Sequence, residues 1–135
     1  MRRITLSISS AFFLILSFPN FDLWPFAWIG LVPLFFAIEN QKPIKAFLIS
    51  YLVGVLFFLG TIYWLIHVTF PGMIITVLYL ALYFGLFGLF TAYSLQLTTY
   101  GLIFLAPAAW VVLEWTRSNG IFGLGWVLLG HSQSY

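Results

Sequence analysis

Glu114 and Arg117 are the two residues of this sequence whose types and spacing carry the most chemistry. They lie three positions apart, so on a helix they share a face. Near the end of a membrane helix such a pair has two readings. It satisfies itself as an interfacial ion pair, or it lines a cavity that lipid headgroups enter. Asp22 falls in a turn with Pro19, Asn20 and Pro25, where a carboxylate oxygen accepts a local backbone N–H. His67 is close to Trp64 and reads as an interfacial residue, with a proton relay as the sharper alternative. His131 is far from it in sequence. There is no cysteine, which excludes a disulfide, a thiolate nucleophile and a cysteine metal site within this sequence. No metal site and no cofactor are expected from so few ligands. No Gly-x-Ser-x-Gly elbow is present. The glycine-rich run at 120–125 is not followed by Lys-Ser/Thr, so it is not a phosphate loop.

The elements that must position these residues are membrane helices. The chain has 135 residues, of which 63% are hydrophobic and 6% charged. That charge fraction cannot cover a soluble domain. The apolar runs are long and do not alternate, which excludes barrel strands and leaves helices. A net charge of +2 is too small to argue for nucleic acid. The expected fold is an all-α integral membrane protein of about five transmembrane helices. The spans are read at 4–18, 26–38, 46–66, 72–95 and 101–117, with one more apolar stretch at 121–130. Met1-Arg2-Arg3 before the first run resembles a signal peptide. No small-residue cleavage site closes it, so it reads as a retained first span.

Arg2, Arg3, Lys42 and Lys45 are four of the five basic residues, and they flank the first two spans on one side. The positive-inside rule places that side, and the N-terminus, in the cytoplasm. Trp24, Trp28, Tyr63, Trp64 and Trp115 then fall near the outer ends, where amphipathic rings favour the headgroup layer. Ala81, Gly85, Gly88 and Ala92 share one face of the fourth span. That face reads as a helix-packing seam, with a lipid-tail groove as the alternative.

The order of motifs adds a resemblance. Residues 16–28, Leu-Ser-Phe-Pro-Asn-Phe-Asp-Leu-Trp-Pro-Phe-Ala-Trp, with Pro33 after them, resemble the N-terminal signature of bacterial apolipoprotein N-acyltransferases. Gly54 to Gly60 followed by Tyr63-Trp64 is similar to the family's third span. Residues 107–117 are similar to its Pro-x-x-Trp…Glu-x-x-Arg segment, and residues 126–133 to its Trp…Gly-Tyr-Ser-Gln segment. His131 stands where the family has Tyr, and Gly125 where it has Pro.

The resemblance implies a function. Such enzymes transfer an acyl chain from phospholipid to the N-terminal diacylglyceryl-cysteine of lipoproteins, in the bacterial inner membrane. Chemistry lies in a nitrilase-like domain with a Glu-Lys-Cys triad. Residues 1–135 are expected to be an N-terminal transmembrane helical domain, truncated before that catalytic domain and inactive alone. Catalytic residues are therefore expected to be none in this chain. Glu114, Arg117, Trp126 and Gln133 are the candidates for facing lipid or substrate. The implied partners are a phospholipid donor, a diacylglyceryl apolipoprotein acceptor and membrane lipids, with no nucleic acid. A non-enzymatic helical scaffold or small transporter subunit is the competing reading.

Overall fold

A computed structural model describes residues 1–18, 21–98 and 100–133. Pro19 and Asn20 of the expected first turn, Thr99 of the expected connection at 96–100, and Ser134 and Tyr135 lie outside the described residues. The described residues form helices and connections, with no strand among them. The helices are α1 (Arg2–Leu16), α2 (Pro25–Ile29), α3 (Val32–Ile38), α4 (Pro43–Thr61), α5 (Phe70–Leu97) and α6 (Gly101–Asn119). Short 3₁₀ turns follow at Tyr63–His67 and Leu129–Gln133.

Proline punctuates this order. It occupies the first helical turn of α2, α3, α4 and α5, where a missing N–H costs nothing and the fixed φ is already helical. The same residue type divides the expected second span. Pro33 has no N–H to offer the carbonyl of Ile29, and its ring crowds that carbonyl. Two short helices result where one span was read. Carbonyls at the break and at the end of α3 find partners on α1. The Ser10 hydroxyl donates to the Gly30 carbonyl in the break. The Arg3 guanidinium donates to the Ala37 carbonyl at 2.9 Å and the Glu39 carbonyl at 3.4 Å, at the end of α3. Gly30 also allows close approach, since a Cβ there would lie 2.6 Å from the Leu14 side chain.

Two helices, α4 and α5, are long and apolar enough to cross a membrane. With 28 residues, α5 rises about 42 Å, more than a hydrocarbon core of about 30 Å. The expected third span ends earlier than read, at Thr61, and continues as the 3₁₀ turn. The apolar stretch at 121–130 forms no α-helix; it folds back against the bundle.

The packing centre is the α4–α5 pair, with α1 against α4, α3 against α1 and α6 against α5. Phe57, Phe58 and Phe84 meet edge-on or tilted within 5.0–5.7 Å between ring centroids. Ala81, Gly85, Gly88 and Ala92 are all buried. A Cβ on Gly88 would collide with the Ser50 side chain and lie 2.7 Å from the Ala46 carbonyl of α4. A Cβ on Gly85 would meet the Phe47 ring first, at 2.7 Å. The small face is therefore a seam closed by α4, with no room for a lipid tail.

Helix α4 opposes Gly88 with the Ser50 side chain and the Ala46 backbone, and Gly85 with the Phe47 ring, which a rotamer change can move. Gly88→Leu is expected to destabilise by more than the about 1–3 kcal/mol usual for overpacking, and Gly85→Leu by less than Gly88→Leu. Thermal midpoints of both variants in detergent check the ranking.

Candidate functional site

The segment 120–133 needs partners because it forms no α-helix and only its last residues, Leu129–Gln133, make a 3₁₀ turn. In an apolar layer an irregular backbone survives only where protein satisfies its N–H and C=O groups. Glu114 and Arg117, on the last two turns of α6, do this. Glu114 Oε1 accepts from the Leu129 N–H at 2.7 Å. Arg117 Nη2 donates to the Val127 carbonyl at 3.2 Å. Between the two side chains the nearest approach is 3.9 Å, an ion pair without a hydrogen bond. The expected pair therefore exists, but each member spends its strongest contact on the same stretch of backbone.

Arg117 is 3% exposed. Its guanidinium carbon lies 5.4 Å above the centre of the Phe58 ring, a cation–π geometry. Val127 adopts φ 55°, in the left-handed region that a β-branched residue avoids. Such a backbone costs about 1–3 kcal/mol and persists only where its surroundings over-determine it. The Arg117 bond to its carbonyl is one such restraint. Gly123, at φ 51°, makes the preceding turn at no such cost.

Side chains fasten the rest of the segment. Trp126 packs on Trp64 with ring centroids 5.7 Å apart. Phe122 packs edge-on against Tyr79 at 5.3 Å. The Trp28 indole N–H donates to Gln133 Oε1 at 3.3 Å, and Gln133 Nε2 donates to the Trp24 carbonyl at 3.2 Å. The segment thus ties α6 to α2 and to the turn after α4. Trp24, Trp28, Trp64 and Trp126 gather at this end. Arg3 and the 39–42 turn lie at the other.

A groove of about 470 Å³ runs between α2–α3 and α6. Leu31, Val32, Phe35, Ala106 and Val111 line its length, and Trp28, Glu114 and Gln133 supply the polar groups of its wall. Of the four sequence candidates, Glu114 and Gln133 line this groove. Trp126 is exposed and does not line it, and Arg117 is buried and does not line it either. Asp22 lies in the left-handed region at φ 55°, and its backbone N–H donates to the Phe18 carbonyl, so it belongs to a turn. His67 ends the 3₁₀ turn after α4. Trp28, Trp110 and Leu129 also line the groove, and all three fall within the motif segments 16–28, 107–117 and 126–133 without being marked there as site residues. Nothing in the sequence marked the Leu129 N–H.

A family model described as the apolipoprotein N-acyltransferase N-terminal domain matches residues 10–135. Relatives named apolipoprotein N-acyltransferase align over most of the chain. One from Geobacter metallireducens is 32% identical over 98% of this chain and 27% of its own length. One from Vibrio cholerae is 34% identical over 87% of this chain and 26% of its own. One from Chlorobaculum tepidum is 32% identical over 96% and 25%. The chain spans about a quarter of the length of these curated relatives.

Removing Glu114 leaves a buried guanidinium without its countercharge and the Leu129 N–H without an acceptor. Glu114→Leu is expected to cost about 3–5 kcal/mol, and the double variant with Arg117→Met less than the sum of the two singles. Glu114→Gln keeps an acceptor and is expected to cost less than Glu114→Leu. Thermal midpoints, with the thiol-labelling rate of a cysteine placed at Gly130, report the loosening of the segment.

Proposed function

The chain belongs to the apolipoprotein N-acyltransferase family, and from that premise we propose that it is the lipid-embedded platform of such an enzyme. In this reading residues 1–135 form its N-terminal transmembrane domain in the bacterial inner membrane. They cross it about five times with the N-terminus inside. The acyl donor is a phospholipid and the acceptor a diacylglyceryl apolipoprotein. The nucleophile belongs to a nitrilase-like domain of the longer protein, because acyl transfer through a covalent intermediate needs an activated nucleophile beside a base. The sequence given holds no cysteine, and Ser132 has its hydroxyl engaged with the Leu129 carbonyl at 2.7 Å.

The observation that carries this reading is the groove. Its walls are apolar, and Glu114, Trp28 and Gln133 place polar groups on the end that carries the tryptophans. An acyl chain fits such walls while its ester end stays near the outer surface. Both substrates are lipid-anchored, so a base that holds one chain at that surface presents the reacting group to a domain resting above it. In this reading Glu114 and Gln133 face the lipid, Trp126 marks the interface, and Arg117 holds the segment that carries Trp126 and Gln133. The clustering of Arg2, Arg3, Lys42 and Lys45 supports the inward N-terminus.

A phospholipid with a photoreactive acyl chain is expected to label Leu31 or Val32. Val111→Trp, at an exposed wall position, narrows the groove and should cut that labelling several-fold; labelling spread evenly over all lipid-exposed helices would reject the groove. With no native cysteine, topology is cleanly testable. A cysteine at Asn119 should react from outside intact cells, and one at Asn40 only after permeabilisation. The purified 135-residue chain, given phospholipid and a diacylglyceryl lipopeptide, is expected to form no N-acylated product above a protein-free control.

A further inference from the structure

At the end of the bundle away from the tryptophans, the turn between α3 and α4 and the last turns of α5 border a pocket of about 330 Å³. That is within the size range of ligand pockets. Buried Ile38 and Ala92 belong to its apolar wall, and Asn40, Gln41, Lys42 and Gln96 form its polar one. It shares no residue with the groove between α2–α3 and α6. The backbone builds the polar side. Ile38 ends α3, and its carbonyl accepts from the Gln41 N–H at 3.1 Å. Asn40 lies between them at φ 56°, in a region that asparagine enters more readily than most residues. Lys42 is extended, and its carbonyl opens α4 by accepting from the Ala46 N–H at 3.0 Å. Three consecutive polar side chains thereby reach the same pocket as Gln96 of α5.

The chemistry of this wall is one-sided. It holds one ammonium and three primary amides, and no carboxylate. All four groups donate hydrogen bonds, the ammonium with three N–H bonds and each amide with two. Glu39, the one acid of this end, is exposed and outside the wall. The N-terminus of α4 and the C-terminus of α5 meet here, so their dipoles oppose each other and Lys42 sets the sign. Arg3, held on the Ala37 and Glu39 carbonyls, adds a second positive charge to the same turn. Ile44 and Leu97, within two residues of Lys42 and Gln96, are exposed apolar side chains. The pocket therefore opens where an apolar layer gives way to polar headgroups.

We propose that this pocket binds the phosphate of one anionic phospholipid, as a headgroup site separate from the acyl chain that reacts. In the N-inside orientation it faces the inner leaflet, whose negative surface potential favours basic groups. Lys42 supplies the charge, and Asn40, Gln41 and Gln96 supply donors to the phosphate oxygens. The amides separate this site from a general attraction. Lys45 and Arg2 draw anionic lipid anywhere on this face, whereas the pocket fixes one headgroup between the α3–α4 turn and α5. The site rests on the reading of the chain as a membrane domain and is independent of acyl transfer and of the groove.

Native mass spectrometry of the full chain in a neutral detergent, with phosphatidylglycerol or phosphatidylcholine added, tests it. One phosphatidylglycerol is expected to bind about fivefold tighter than phosphatidylcholine, the worth of one basic residue at a membrane surface. Lys42→Gln should abolish that preference. Lys45→Gln removes the same charge outside the pocket and should keep it within about twofold. Asn40→Gly retains the left-handed turn and the full charge, and should weaken phosphatidylglycerol binding several-fold, as should Gln96→Ala. Equal losses in Lys42→Gln and Lys45→Gln would make the attraction diffuse and overturn the site. Undiminished binding in both Asn40→Gly and Gln96→Ala would overturn it too. If inorganic phosphate alone raised the thermal midpoint as much as phosphatidylglycerol does, the ligand would be a free anion and the lipid assignment would fall. A chain that did not float with vesicles in a density gradient would remove the membrane reading and this site with it. One that floated but bound both lipids alike would remove the site alone.

Discussion

The bonds from Arg117 to the Val127 carbonyl and from the Leu129 N–H to Glu114 fasten the segment after α6 to the bundle, and the placement of Trp126 and Gln133 depends on them. They matter because the surrounding medium offers no alternative. Water would satisfy a loose carbonyl at little cost, but an apolar layer leaves it orphaned at several kcal/mol. A stretch as apolar as 121–130 has every reason to stay in the layer and, with Gly123 and Gly125 in it, little reason to be a helix. Two charged side chains on α6 resolve this conflict by acting as backbone partners. The charges themselves are held by each other and, for Arg117, by the Phe58 ring. A buried pair of this kind is weak evidence for stability by itself. Its value here lies in fixing where Trp126 and Gln133 stand.

The same logic repeats along α1. The break between α2 and α3 interrupts an apolar segment. Ser10 of α1 meets the Gly30 carbonyl there, and Arg3 meets the carbonyls at the end of α3. Both irregular segments are thus bound by side chains from a neighbouring continuous helix. The α4–α5 pair, closed by small residues, supplies the rigid reference against which both are set. In the proposed platform, the groove between α2–α3 and α6 exists because α2–α3 bends and the outer segment caps it.

The resemblance of four motifs to the acyltransferase family and the match over residues 10–135 agree on the family. The motif residues divide by what they do in the fold. Pro25 and Pro33 start helices, Gly54 and Gly60 admit close neighbours, and Glu114 and Arg117 bind the segment that carries Trp126 and Gln133. Much of the signature is thus architecture: it builds and fastens the groove rather than supplying reacting groups.

Helical class, the positions of most helix starts and the packing seam of α5 were all legible in the sequence. They follow from local facts: a long apolar run must be helical in lipid, proline fixes a first turn, and small residues at spacings of four and three share a face. The pairing of Glu114 with Arg117 was legible for the same reason, being set by helical periodicity. What those two residues bind was not. The Leu129 N–H and the Val127 carbonyl are backbone atoms that every sequence possesses, and only the chain's return path selects them. The apolar run at 121–130 has the composition of a membrane segment, so pattern alone could not tell a helix from a strap folded back on the bundle. The division of the second span turned on one residue, Pro33, whose effect depends on whether Ser10 of another helix is there to meet the Gly30 carbonyl in the break. Local chemistry writes the elements, but satisfaction of irregular backbone in an apolar layer is a property of the whole packing, and only the tertiary structure decides it.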